Sequence, residues 1–329
     1  MALPVELADT ALAADLAAGL EGVESALREI VHPTDEVLTE IARHGLAAGG
    51  KRFRPMLVLL AAHFGDPADP RVQQAAVAVE LTHLGTLFHD DVMDEATIRR
   101  GSESVNAHWT NSIAILAGDW LFARASDILS DLGADAVRIQ AETFSRLVAG
   151  QLAETVGPRS GQDPLEHYMY VISEKTGSLI ATSGRFGAMF SGTPDKQTDL
   201  IARACEQIGV AWQLTDDIID VVSESSESGK APGTDLRQGV RTLPVFYALR
   251  SDSSADGRLR ELLSQPELAD PELLAEALTL LRSSAALEAA RADIRRWANG
   301  ARELLGGLPD IPARAAFESL CDYVITRTG

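Results

Sequence analysis

The chain has 329 residues, 46% of them hydrophobic, and a formal net charge of −19. That composition carries ample material for a buried core and excludes a disordered or collagen-like chain. The acidity excludes a general nucleic-acid binder, which needs a basic footprint.

Aromatic residues make up only 5% while Ala and Leu are abundant, a balance that favours helices because both have high helix propensity. Cys205 and Cys321 have no metal-ligand spacing and read as buried thiols of a reducing compartment. No basic-then-apolar leader is visible, and the longest apolar runs are too short to cross a bilayer. A soluble, cytoplasmic protein is expected.

In chain order the helical periodicity covers 5–30, then 35–46 with Thr34 as N-cap. A Gly49-Gly50 break precedes a helix over 54–64. A turn at 66–70 leads into a long apolar helix over 71–94. Further helices are expected at 112–132, 135–155, 164–175, 178–190 and 198–222. Residues 223–240 gather Ser, Glu, Gly and Pro and read as a long loop, of the length that tends to be functional. Shorter helices follow from Leu243. No alternating strand pattern persists and no linker divides the chain. One all-helical domain over 1–329 is the expectation.

Two of these helices end in the same device, Asp90-Asp91-Val92-Met93-Asp94 and Asp216-Asp217-Ile218-Ile219-Asp220. Residues four apart share a helix face, so Asp90 with Asp94 and Asp216 with Asp220 each present two carboxylates together. Like charges so placed repel unless a divalent cation sits between them. Mg²⁺ takes one or two carboxylates and leaves its other positions to water and phosphate. One such motif is a weak signal, but two on apolar helices are a strong one, since buried carboxylates must be paired or metal-bound.

Basic groups stand beside the first cluster. The run Gly49-Gly50-Lys51-Arg52-Phe53-Arg54-Pro55 puts paired glycines before cations, which lets backbone and side chains approach an anion closely. Arg99 and Arg100 follow the first cluster, and the arginine fork suits phosphate oxygens. The chain has only four lysines, and Lys51, Lys175 and Lys230 all fall in or near these motifs.

The ordered set resembles the trans-isoprenyl diphosphate synthase (polyprenyl synthetase) family. It comprises 49–55, 87–94 with Arg99-Arg100-Gly101, Lys175-Thr176, 213–220, Gly229-Lys230, 233–237 and Thr242-Leu243-Pro244. The resemblance implies a helical bundle of the isoprenoid synthase type with a central cavity. It further implies head-to-tail condensation of isopentenyl diphosphate with an allylic diphosphate, using two or three Mg²⁺ ions. Asp90, Asp91, Asp94, Asp216, Asp217 and Asp220 then stand as metal ligands. Lys51, Arg54, His83 and Arg100 stand at isopentenyl diphosphate. Arg99, Lys175, Thr176, Gln213 and Lys230 stand at the allylic diphosphate or its cation, the last four as catalytic groups. Arg241 departs from the lysine that many relatives carry before Thr-Leu-Pro. A homodimer is also implied, with at most transient membrane contact for product release.

The helix before Asp90 is expected to line the tunnel for the growing tail. Thr86, Gly85 and Thr82 lie one and two turns back, about 5.4 Å of helix per turn. Small residues there leave the path open and favour a product beyond twenty carbons. A neighbouring helix can supply a floor instead, from Trp120, Phe122 or Phe144, which gives a geranylgeranyl or farnesyl product. A class I terpene cyclase and a non-catalytic partner subunit are the remaining alternatives; both intact acidic motifs argue against them.

Overall fold

The computed structural model describes residues 5–30, 36–223 and 232–327. The Thr34 cap and Asp35 lie outside them. Four helices open the chain: α1 (Thr10–Ile30), α2 (Glu36–Ala47), α3 (Phe53–Ala62) and α4 (Pro70–Met93). A small ribbon follows, β1 (Ile98–Arg99) antiparallel to β2 (Ser102–Glu103). Next come α5 (Val105–His108), α6 (Asn111–Leu132), α7 (Ala134–Val156) and α8 (Pro164–Ile172). A π-helical turn over Ser173–Gly177 runs into α9 (Ser178–Phe190) and α10 (Asp195–Val222). The remaining α-helices are α11 (Thr234–Arg237), α12 (Leu243–Leu249), α13 (Gly257–Leu263), α14 (Pro271–Arg282), α15 (Ala285–Leu305) and α16 (Pro312–Thr326).

The all-α expectation holds, with three local corrections. The ribbon was not legible, because two residues per strand are too few to show alternation. The break read near 176 is a π turn. Within the stretch read as a long loop, Thr234–Arg237 forms a helical turn, and 224–231 lie outside the described residues.

Contacts divide the chain into two compact units, one of Met1–Ser145, Leu179–Cys205 and Leu304–Ser319, the other of Arg146–Ser178, Glu206–Glu303 and Leu320–Gly329. In the first unit, α1 buries Leu12, Leu16, Leu20, Val23 and Leu27 along one stripe. Helix α3 has nine of its ten residues buried, the exception being Arg54. Helix α4 is buried on every side from Ala75 to Thr82 and packs against α1, α3 and α6, as a helix stretch without an exposed face must. Asp69 caps it by accepting the Arg71 amide at 2.9 Å, and Pro70 occupies its first turn. Where α6 crosses, Gly85 and Gly118 meet, and a Cβ on either would lie 3.1 Å from the other's carbonyl oxygen.

The second unit has its own core of Val221, Leu236, Val245, Leu259, Leu262, Leu278 and Leu281. Fully buried Thr215 on α10 donates to the Val324 carbonyl at 2.9 Å, which ties the last turn of α16 to α10. No helix of the described residues is long and apolar enough to cross a membrane.

Candidate active site

In the first unit the basic run is sorted by backbone geometry. Gly49 and Gly50 have φ of 77° and 150°, and Arg52 itself sits in the left-handed region at φ 46°. That turn sends Arg52 inward, where it is 4% exposed. Its Nε donates to Glu24 at 2.9 Å and its Nη1 to Glu80 at 2.8 Å. Burial opposes the charge on Arg52, but Glu80 and Glu24 more than compensate and its pKa rises. Lys51 is left exposed on the same loop, and Arg54, the second residue of α3, is half-buried.

Arg54 is the unsatisfied member. Its Nε is buried and has no hydrogen-bond partner. Burial brings its pKa down to about 10, with Arg100 pushing the same way against Glu80 and Asp90. His83 feels the same surroundings: burial first, then the charges of Arg54, Arg100, Arg52 and Arg99, hold its pKa well below the usual imidazole range. His83 is therefore neutral at physiological pH. The structure thus gathers Arg54, His83 and Arg100, three of the four residues expected at isopentenyl diphosphate, with Lys51 on the adjoining loop. A neutral imidazole and an unpaired guanidinium N–H among several cations are what an anion would complete.

Arg100 is delivered by the ribbon. Arg99 pairs with Ser102, leaving Arg100 and Gly101 as the two turn residues, both at positive φ (52° and 80°), the requirement of a type I′ hairpin. The Arg100 guanidinium donates to the Gly49 carbonyl, and a Cβ at Gly50 would collide with it. Here Gly50 is needed for close approach, whereas Gly49 supplies only the positive φ. Arg99 turns the other way and donates its Nε to Asp91 at 2.7 Å. Asp91 is buried, and burial raises its pKa against the pull of Arg99. Asp91 is thus paired with an arginine, while Asp94 stands exposed as the C-cap of α4.

In the second unit every carboxylate of the other cluster has a protein donor. Asp216 pairs with Arg327 at 2.9 Å. Asp217 accepts from the Tyr168 hydroxyl and from Gln213 Nε2 at 3.1 Å. Burial pushes the Asp217 pKa up to about 7, although the Tyr168 and Gln213 hydrogen bonds hold it down. Asp220 accepts the backbone amides of Thr234 and Asp235, each at 3.1 Å, so it caps α11. Gln213 Oε1 accepts from Thr176 at 3.3 Å, which joins Thr176, Gln213, Asp217 and Tyr168 in one line. Thr176 and Lys175 sit on the π turn, a local irregularity common at functional sites. Lys175 is paired with Glu154 at 2.5 Å. Lys230 lies outside the described residues.

At the expected tunnel face, Gly85 meets a neighbouring helix. A Cβ there would lie 2.9 Å from the ring of Phe122, so the space left by the missing side chain is filled from α6. Phe122 in turn packs on Phe144, with ring centroids 4.6 Å apart. Gly85 is small because two helix backbones touch at that point. Thr82 is fully buried, donating to Ala78 at 2.8 Å and accepting from Gln140 at 2.7 Å. Thr86 donates to the His83 carbonyl at 2.7 Å. Phe122 and Phe144 are two of the three rings that the sequence offered from a neighbouring helix.

The donors present suit a hard divalent cation. Asp90 with Asp94, and Asp216 with Asp220, offer oxygen ligands in pairs. Among the described residues no three carboxylate, imidazole or thiolate groups converge on one point. An ion there would draw its other ligands from water and substrate oxygens, which is how Mg²⁺ is usually held. Sequence reading missed Arg52 as the ion-paired support of the loop, and it missed Tyr168 and Arg327. Only the glycine pair hinted at the first; nothing local to residues 168 or 327 marks the other two.

An all-helical chain with an anion cradle in one unit and a line of carboxylates in the other is the class of protein that this geometry defines. A family described as polyprenyl synthetase matches residues 35–281, and the chain belongs to it. It is 48% identical to a nonaprenyl diphosphate synthase of Mycobacterium tuberculosis, over 99% of this chain and 97% of that one. It is 43% identical to a dimethylallyltranstransferase of the same organism, over 98% of both chains. Among solved structures, a geranylgeranyl pyrophosphate synthase from Corynebacterium glutamicum, complexed with calcium and isoprenyl diphosphate, is similar. Its TM-score is 0.89 and its identity 45%, over 99% of this chain and 100% of that one.

Proposed function

We propose that the chain is a Mg²⁺-dependent prenyltransferase that adds isopentenyl diphosphate head to tail to an allylic diphosphate, giving a trans-polyprenyl diphosphate longer than twenty carbons. The observation that carries this reading is the cluster of Arg54, His83 and Arg100, with the buried Arg54 Nε lacking a partner. Family membership and the nonaprenyl diphosphate synthase at 48% identity support the same activity and the long product.

In this reading Lys51, Arg54, His83 and Arg100 grip isopentenyl diphosphate by its charge. Asp90, Asp94, Asp216 and Asp220 hold the divalent cations. When bound, those ions neutralise the charge that develops on the allylic diphosphate as its carbon–oxygen bond breaks. Asp91 holds Arg99, and Asp217 orients the Gln213 amide. The allylic cation needs neutral oxygen dipoles near it; Thr176 and the Gln213 Oε1 supply them, each fixed by the other at 3.3 Å. Lys175, on the π turn, and Lys230 complete the charge around the departing diphosphate. The double bond of isopentenyl diphosphate then forms the new carbon–carbon bond, and loss of a proton regenerates an allylic product. Phe122 and Phe144 form part of the wall that meets the tail.

A single domain of the isoprenoid synthase type with a central cavity, two or three Mg²⁺ ions, a homodimer and a cytoplasmic location belong to the same proposal. Product analysis tests it. Purified protein is given Mg²⁺, labelled isopentenyl diphosphate and dimethylallyl, geranyl, farnesyl or geranylgeranyl diphosphate in turn. Chelator-sensitive products longer than twenty carbons support the reading. Products ending at twenty would overturn the long-chain part, and no elongation from any primer would overturn the activity.

A further inference from the structure

Arg327, which directly follows α16 and is the last described residue, has surroundings that an ordinary surface ion pair does not need. Its Nη2 lies 2.9 Å from Asp216 Oδ1, with the arginine side chain 18% exposed. The plane of its guanidinium carbon sits over Trp212, 4.6 Å from the ring centroid, and 5.5 Å from that of Tyr323. The two rings are themselves 5.9 Å apart, so the guanidinium rests on an aromatic platform. Its Nη1 is buried and has no hydrogen-bond partner. The Thr215–Val324 hydrogen bond fixes the helix that carries it.

These contacts divide into two kinds. The platform and the helix anchor do not involve Asp216 and hold the guanidinium where it is whatever Asp216 does. The Asp216 pair is the one that must change if that carboxylate turns to a divalent cation, as proposed above. Arg327 would then keep its position and have two Nη groups to place, one of them unpaired from the start. A guanidinium edge presents parallel N–H donors that match two phosphate oxygens.

We propose that Arg327 is a diphosphate ligand, exchanging Asp216 for an oxygen of the diphosphate that binds the cation on that carboxylate. The inference rests on the reading of Asp216 as a cation ligand. Arg327 serves first as an internal counter-ion and then as a substrate contact, on a platform that does not move between the two states.

Trp212 makes this testable without turnover. Mg²⁺ and inorganic pyrophosphate are titrated into the protein while tryptophan emission is followed, with calorimetry in parallel. The wild type is expected to show an emission change that Trp212→Phe lacks. Arg327→Gln should weaken pyrophosphate binding about tenfold, the scale of one charged hydrogen bond, and Arg327→Lys should recover part of it. Binding of Mg²⁺ alone to Arg327→Gln should be no weaker than wild type, since a competing cation is gone. Equal pyrophosphate affinity in wild type and Arg327→Gln would overturn the inference, as would an equal loss of Mg²⁺ affinity, which would mark Arg327 as a support for Asp216 only. Failure of the wild type to bind Mg²⁺ with pyrophosphate at all would overturn the proposed function with it.

Discussion

The basic cradle of the first unit and the acidic line of the second treat their charges in opposite ways. Arg52, Arg54, Arg99 and Arg100 surround a neutral His83, and the Arg54 Nε lacks a partner. Asp216, Asp217 and Asp220 all have protein donors already: a guanidinium, a phenol with an amide, and two backbone amides. The first region is assembled with donor capacity to spare. The second is satisfied from within, so a cation would compete with donors already in place. The lesson is that an anion site can be built in advance from long flexible cations, whereas clustered carboxylates stay together only if something neutralises them.

The sharpest way to break the comparison is to remove the acids. Asp90→Ala and Asp216→Ala should each lower kcat by on the order of 10³-fold, as loss of preorganised electrostatic stabilisation does; steady-state rates against Mg²⁺ concentration check this. Two arginines only two residues apart should then part company. Arg54→Ala should raise KM for isopentenyl diphosphate about 100-fold while leaving the allylic KM unchanged, as removal of a charge-assisted contact predicts. Arg52→Ala leaves Glu80 buried without its partner and should cost about 3–5 kcal/mol in stability, read by denaturant melts. If Arg52→Ala altered only KM, the division of labour between the two would be wrong.

The first of these contrasts was legible in the sequence and the second was not. The helices, the two acidic motifs and the basic loop follow from periodicity and spacing alone. Which of Lys51, Arg52 and Arg54 faces inward depends on one left-handed residue, and nothing in the local pattern requires Arg52 to adopt φ 46°. Tyr168 and Arg327 escaped for a related reason. Each lies more than forty residues from the aspartate it meets, and such a pairing is fixed by packing. At Gly85 the sequence left two readings, an open path or a ring from a neighbouring helix, because glycine reports that something approaches, not what; here it is Phe122, one of the three rings expected as a floor.

pH offers a finer test on metal-free protein. His83 has its pKa lowered on folding, so below about 6.5 the unfolded chain takes up a proton that the native state refuses, and its stability falls as pH drops. Asp217 is raised to about 7, so from about 4 upward the native state keeps a proton that the unfolded chain releases. Its contribution therefore declines as pH rises to about 7 and is flat beyond. In a window that closes at about 6.5, the ordinary imidazole value, the two slopes oppose each other. Asp217→Asn should leave stability rising with pH across that window, and His83→Gln should leave it falling; thermal melts at several pH values decide. The smallest expected effect is at the wall. Phe122→Ala should shift the product distribution to longer chains with little change in rate, read by chromatography of the dephosphorylated products.

The hairpin that delivers Arg100 carries a consequence for engineering. A left-handed conformation at a non-glycine residue costs about 1–2 kcal/mol, and Arg100 sits at φ 52° in a turn that favours Asn or Gly. Stability and activity therefore pull this position in different directions. A library screened for heat resistance alone would be expected to enrich Asn or Gly at 100 and return tougher proteins that hold their substrate poorly. Variants meant for use at high temperature need a screen that keeps isopentenyl diphosphate affinity in view, or a fixed arginine at 100 with the gain sought elsewhere.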